Sequence, residues 1–432
     1  MRKILLACLA SILIMLARLT LKRFRPRVIG ITGNVGKTST KLALYTVLRE
    51  NKRRVRMAGG NLNNEYGLPL AILTDYEQPG GMSFWMRVII LSSVRLISPW
   101  SKRKYPKILI LEYAADKPGD IRYLTKIVKP SIAVVTAVGA VPVHLEFFSD
   151  REAVIKEKTR LVKGLGSQDM AILNHDDPAV LEMKNQTKAQ VSTYGFHKSA
   201  GLRIRNFENR SEFGRPLGIS FKLETDKSSV PVRIDDVFGV AQAYAASAAA
   251  AVGLAEGLNL VQISESLAHY HGEKGRTKLI PGVKESWIID DTYNSSPASL
   301  KAALEIFSDL RAPRKVAILG DMLELGNYAK EAHEEAGKLV GQTVDELITV
   351  GPLAKLIAEK ANGLKKENVH SFKNTAELIP KVKDLVENKD LILVKGSQST
   401  RMEKVVAVIM AEPERAKELL VRQYGRWLKD EK

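Results

Sequence analysis

Short apolar runs rich in β-branched residues recur along this chain, with longer mixed stretches between them. VIGIT (28–32), KILILEY (107–113), SIAVVTAV (131–138) and MAILN (170–174) show no polar alternation. A strand with one wet face alternates, whereas a continuous run predicts a strand covered on both faces, as in a parallel sheet. Lys37 to Glu50 and Arg151 to Gly164 read as helices between these strands. The alternation predicts an α/β doubly wound design. Arg203 to Ile234 differs: apolar residues alternate with charges, which predicts a small antiparallel addition. An alanine-rich helix, Ala241 to Glu256, comes next. A second α/β series then runs through WIIDD (287–291), KVAILGD (315–321), ELITVG (346–351) and DLILVKG (390–396), with a domain boundary expected near 271–276.

Two apolar stretches lie outside this scheme. Ile4 to Ala17 reads ILLACLASILIMLA, and Arg18, Lys22, Arg23, Arg25 and Arg27 follow it. Basic residues after an apolar run favour the cytoplasmic side of a membrane. Leu19 and Leu21 lengthen the run toward the roughly 20 residues that a span needs, if Arg18 snorkels. The expectation is an uncleaved N-terminal membrane anchor helix over 1–24, with the body at the inner face of the cytoplasmic membrane. A buried N-terminal helix is the alternative. Phe84 to Ile97 carries Arg87 and Arg95 and is too short and charged to span; it reads equally as an interfacial helix or a core helix.

Composition narrows the classes. Hydrophobic residues make up 45% and charged residues 26%, which suits a globular chain. The formal net charge is +18. The basic residues are spread along the chain, without zinc-finger spacing or an RNA-recognition signature, so nucleic acid is not expected as a partner. Cys8 is the only cysteine, so no internal disulfide forms.

The candidate chemistry begins after the first strand, at Gly30-Ile31-Thr32-Gly33-Asn34-Val35-Gly36-Lys37-Thr38-Ser39. A glycine-rich turn from strand to helix aims backbone N–H groups at phosphate oxygens, and the helix dipole adds to this. Gly33 to Ser39 are the expected nucleotide-binding residues. Lys37 would reach the β- and γ-phosphates and the Thr38 hydroxyl would ligate Mg²⁺.

This loop, of the shorter Gly-x-x-Gly-Lys-Thr form, resembles that of the Mur ligases. Further segments carry the resemblance. Asn61 to Pro69 (NLNNEYGLP), Leu111-Glu112-Tyr113-Ala114, His144-Leu145-Glu146, Asp290 to Asn294 (DDTYN), Gly320 to Gly326 (GDMLELG) and Lys395-Gly396-Ser397 follow in the family's order. They are similar to the D-alanyl-D-alanine-adding branch. The resemblance implies a P-loop central domain over 25–272, with a parallel sheet and helices on both faces, and a Rossmann-like C-terminal ligase domain over 273–432. It implies an ATP-dependent ligase that activates a carboxylate as an acyl phosphate and joins it to an amine. It further implies two Mg²⁺ ions held by Thr38, Glu112, His144 and a carbamoylated Lys158. The C-terminal domain would close over ATP with Arg276 on the phosphates, Asp291 on the ribose, and Asn294 and Lys395 lining the site. Lys37, Lys158, His144 and Lys395 are the implied catalytic residues.

Three departures qualify the resemblance. Only an anchor and basic linker precede the loop, where the family carries a domain for the acceptor's uridine nucleotide, so a partner or another carboxylate acceptor is expected there. The Gly-x-His-Asn segment that helps to hold adenine reads Gly239-Val240-Ala241-Gln242. Gln398 replaces an arginine on the amine side, with Arg401 as a nearby substitute. The expected substrates are a D-alanyl-D-alanine-like amine and an envelope-precursor carboxylate. A polyglutamate-type ligase and a non-catalytic nucleotide-binding scaffold are the alternatives.

Overall fold

The computed structural model describes residues 2–60, 62–76, 80–139 and 148–428. Two compact units emerge. One holds 1–207, 221–232 and 241–270; the other holds 208–220, 233–240 and 271–432.

In the first unit the β-branched runs form the strands that their pattern predicts. They are β1 (Arg27–Thr32), β2 (Val55–Met57), β3 (Ile108–Glu112), β4 (Ile132–Val135), β5 (Met170–Asn174) and β6 (Gln190–Gly195), paired in parallel in the order β2-β3-β1-β4-β5-β6. β3 and β4 flank β1 on opposite sides, and ligands of doubly wound sheets bind where the strand order reverses in this way, beyond the strands' carboxyl ends. The charged alternating stretch continues the sheet as β7 (Leu202–Glu212), β8 (Arg215–Glu224) and β9 (Ser229–Asp235). Phe213 and Gly214, both at positive φ (49° and 78°), form the two-residue turn from β7 to β8, which suits the twist of a hairpin.

The helices before β4 are α1 (Arg2–Phe24), α2 (Lys37–Glu50), α3 (Gly67–Leu73), α4 (Met82–Ile97), α5 (Ser101–Lys104) and α6 (Asp120–Ile127); α7 (Arg151–Lys163) precedes β5. Helix α1 corrects the expected membrane anchor, and with it the placement at the membrane face. Among the described residues no helix is long and apolar enough to cross a membrane. Leu13, Leu16 and Ala17 are buried in the same core as Leu68 and Ile72 of α3 and Val88 of α4. The following basic residues serve the protein as well. Arg18 donates to the Lys126 carbonyl (2.9 Å), Arg23 to that of Ser98 (3.1 Å), and Arg27 lies 3.0 Å from Glu256. Helix α4 buries only Val88 and Ser92, with Met86, Ile90 and Val94 exposed.

The second unit has a six-stranded sheet. Its strands are β10 (Lys278–Pro281), β11 (Trp287–Asp291), β12 (Lys315–Gly320), β13 (Glu346–Val350), β14 (Val369–Phe372) and β15 (Leu391–Lys395), in the order β10-β11-β15-β12-β13-β14. All pairs are parallel except β10 with β11. Apolar clusters cover both faces, one around Phe307 and Leu393 and the other around Ile318 and Val405.

Candidate functional site

The phosphate loop connects β1 to α2, and its shape depends on two glycines at positive φ. Gly36 (84°) forms the N-cap of α2. Gly33 (143°) approaches Thr136 so closely that a Cβ would lie 2.0 Å from the Thr136 hydroxyl. That hydroxyl donates to Val35 O (2.7 Å), while Asn34 donates from its backbone to Ala137 O (2.6 Å) and from its side chain to Val138 O (2.7 Å). The segment after β4 thus moulds the loop. Lys37 folds back over it and donates to Gly33 O (2.9 Å) and Asn34 O (3.2 Å). Thr38 and Ser39 open α2, Thr38 half-buried and Ser39 buried.

Lys158, on α7, donates to the same Gly33 carbonyl at 3.1 Å. Two ammonium groups therefore share one acceptor. Burial, and then the charge of Lys37, push the Lys158 amine down to about 7, since both penalise its charged form. Glu112 ends β3 and is buried, with Lys41 of α2 2.8 Å from its Oε1. That approach is off the line of a hydrogen bond, so Oε1 has a charge beside it but no donor directed at it. Lys41 also donates to Gly60 O at 3.1 Å. Sequence reasoning passed over Lys41. The available signal is its spacing: four residues after Lys37, it lies on the same face of α2.

In the second unit, loops beyond β11, β12 and β15 gather at the strands' carboxyl ends. Asp291 and Lys395 face each other across the last β11–β15 rung, with Nζ 2.6 Å from Oδ2. Lys395 is 1% exposed and also donates to Asn294 O (2.9 Å). The Asn294 side chain is exposed, and its Oδ1 accepts from Ser295 N. The Ser397 hydroxyl accepts from Leu323 N at 2.8 Å and ties the 396–398 turn to the GDMLELG turn. Arg276 donates to Glu273 (3.0 Å) and lies 4.2 Å over the Tyr293 ring. Arg401 is not a free substitute for the arginine that Gln398 replaces. Its guanidinium donates to Glu403 (2.6 Å) and to Trp427 O (2.6 Å). Sequence reasoning also missed Arg422, which reaches back from the C-terminal segment to Glu403, Thr292 O and Tyr293 O.

Comparison with known proteins gives this arrangement its relatives. The Mur ligase middle domain matches residues 96–253, and the Mur ligase glutamate ligase domain matches 275–398. The UDP-N-acetylmuramoyl-tripeptide–D-alanyl-D-alanine ligase of Bacillus subtilis is 29% identical over 401 residues, 92% of this chain and 79% of that one. The chain belongs to the Mur ligase family. Among solved structures, MurF of Thermotoga maritima in complex with ADP superposes with a TM-score of 0.75 at 29% identity, covering 94% of this Mur ligase and 84% of that chain. MurF of Acinetobacter baumannii gives 0.74 at 26%, covering 91% and 78%.

The residues expected to hold magnesium fit the ion in part. Glu112 brings a buried carboxylate oxygen without an in-line donor, and Thr38 brings a hydroxyl. Among the described residues no three His, Cys, Asp or Glu side chains converge on a metal position. Magnesium tolerates that, because it keeps waters and takes oxygens from nucleotide phosphates. His144, expected at a second ion, lies outside the described residues. Of the residues named from the sequence, Gly33, Lys37 and Lys158 meet at one carbonyl in the first unit, while Asp291, Asn294 and Lys395 meet in the second.

Proposed function

We propose that this Mur ligase uses ATP to join D-alanyl-D-alanine to a UDP-linked muramoyl tripeptide. The single observation that carries the reading is the cationic, moulded phosphate loop, where Lys37 and Lys158 converge on Gly33 O. The names and identities of the relatives add the substrates. In this reading the amides of 34–38 and the Lys37 ammonium hold the β- and γ-phosphates. An acceptor carboxylate oxygen attacks the γ-phosphorus, and ADP leaves. The amine nitrogen then attacks the acyl carbon, phosphate leaves with the bonding electrons, and the surplus amine proton passes to solvent. Both steps accumulate negative charge, so positioned cations supply most of the rate. Bound Mg²⁺, held by Thr38 and Glu112, would neutralise phosphate charge. In the second unit, Arg276 is assigned to the phosphates and Asp291 to the ribose, with Asn294 and Lys395 beside them.

Lys158 is assigned as a carbamate in the working enzyme. An amine near 7 is substantially neutral at physiological pH and open to CO₂. Carbamoylation replaces a cation repelled by Lys37 with an anion attracted to it. In ¹³C-bicarbonate the full chain should give a protein-bound carbamate resonance that Lys158→Met lacks; identical spectra would remove the assignment.

The decisive assay incubates the full chain with ATP, Mg²⁺, bicarbonate, D-alanyl-D-alanine and the UDP-linked tripeptide, and looks for the pentapeptide product by mass spectrometry. Lys37→Ala should abolish it. Ligation of L-glutamate to a glutamyl acceptor instead would install the polyglutamate reading. ATP binding without turnover on any acceptor would leave the scaffold.

A further inference from the structure

A second cationic site lies in the first unit, away from the phosphate loop. Between β2, α4 and α5 is a cavity of about 200 Å³ walled by Arg56, Arg95 and Lys104, with Ser98, Ser101 and Trp100 also on its lining. Tyr105 closes it below, packed against Phe24 with centroids 4.4 Å apart and lying 5.2 Å under the Arg56 guanidinium. Lys104 and Tyr105 precede β3, whose far end carries Glu112. The seven residues from Tyr105 to Glu112 place the cavity roughly 20 Å from the nucleotide end of the sheet.

The two guanidinium groups are fixed by the carboxyl end of α3. Arg56 donates to Ile72 O (2.9 Å), which also accepts from the Tyr105 hydroxyl (2.8 Å), and Arg95 donates to Leu73 O. Each spends one nitrogen there, and a guanidinium has five N–H donors. Among the described residues no acidic side chain lines the cavity, and the nearest acidic influence on Arg56 is the electrostatic one of Asp75. Capping one short helix explains one bond from each arginine. It does not explain why two like charges and a lysine are held around a hollow. Burial is the main influence on the Arg56 charge and disfavours it; Tyr105 and the Asp75 carboxylate oppose that and Arg95 adds to it, with a net fall. A bound anion would offset the remaining penalty.

We propose that this cavity is a binding site for a phosphoryl group, separate from the ATP site. Planar guanidinium forks match phosphate oxygens two at a time, Lys104 adds a point charge, and Ser98 and Ser101 make the rest of the lining polar. The volume suits one phosphate or a diphosphate rather than a whole nucleotide. Trp100, 70% exposed at the rim, offers a face to whatever the phosphate is attached to.

The test is calorimetric titration of the full chain with inorganic phosphate, pyrophosphate and glycerol 3-phosphate, each with the ATP site filled by ADP and Mg²⁺ and again in Lys37→Ala. A phosphoryl site that persists in both backgrounds is expected. Arg95→Gln should weaken it about ten- to hundredfold, as expected for losing a charge-assisted hydrogen bond. Lys104→Gln, on the surface and without a packing role, should weaken it several-fold with melting unchanged. Tighter binding of the ester than of free phosphate would make Trp100 part of the site, and tighter binding of free phosphate would make the ion itself the ligand. Binding that disappears when the ATP site is filled or Lys37 is removed overturns the proposal. So does binding indifferent to both Arg95→Gln and Lys104→Gln.

Discussion

Replacing Lys41 with methionine keeps the unbranched apolar stem and removes the charged end. Glu112 is buried, and Lys41 is the cation 2.8 Å from its Oε1, so the variant leaves a carboxylate stranded inside the first unit. Breaking a buried pair from one side costs about 3–5 kcal/mol. The bond to Gly60 O is lost as well, at about 1 kcal/mol. For a unit of this size each kcal/mol lowers the melting temperature by about 2–4 °C, so a fall of roughly 10 °C or more is expected. Differential scanning calorimetry of the full chain without nucleotide should show the fall for the unfolding of the first unit. Glu112→Gln combined with Lys41→Met removes the stranded charge and should recover at least about 2 kcal/mol, because residues in contact do not add. A single variant within about 0.5 kcal/mol of the parent, or an additive cycle, would refute the reasoning.

Two further perturbations test other parts of the site. Gly33→Ala forces a Cβ against the Thr136 hydroxyl at a φ of 143°; ADP affinity measured by calorimetry should fall at least about tenfold, as loop geometry costs a few kcal/mol, and unchanged affinity would mean that the loop is not the phosphate cradle. Burial raises the Asp290 carboxyl from 3.8 to about 6. The folded chain therefore holds that proton more tightly, and the stability this carries is complete below pH 3.8 and lost as the pH rises through about 6. At about 1.4 kcal/mol per tenfold change in proton affinity the loss is about 3 kcal/mol. Asp290→Asn should accordingly stabilise the second unit at pH 7.5 but not at pH 4, and equal effects in urea melts at both values would remove burial as the cause.

The strands were legible because a buried parallel strand writes itself as a continuous β-branched run, and Lys37 to Glu50 because a phosphate loop announces the helix after it. The loop residues and Glu112 carry chemistry in a recognisable order, which makes them readable from the sequence. Helix α1 was misread for a physical reason. A run such as ILLACLASILIMLA registers only that its surroundings are apolar, and Leu68 and Val88 satisfy that as well as lipid does. Lys41 looked like one more solvated helical lysine, because its partner is 71 residues away in the chain. Arg422 escaped notice for the same reason: its acceptors Thr292 and Tyr293 lie 130 and 129 residues earlier.

The Asp291–Lys395 pair has a consequence for how the second sheet assembles. The two residues are the closing rung of neighbouring strands that the chain reaches 104 residues apart. Side chains on a strand alternate faces, so pairing one residue out of step would send Lys395 to the opposite side of the sheet from Asp291. An ammonium would then sit in the apolar layer without its counterion, at a cost of several kcal/mol. The same two charges that furnish the candidate site therefore guard the register of the sheet, disfavouring a β15 paired one residue out of step.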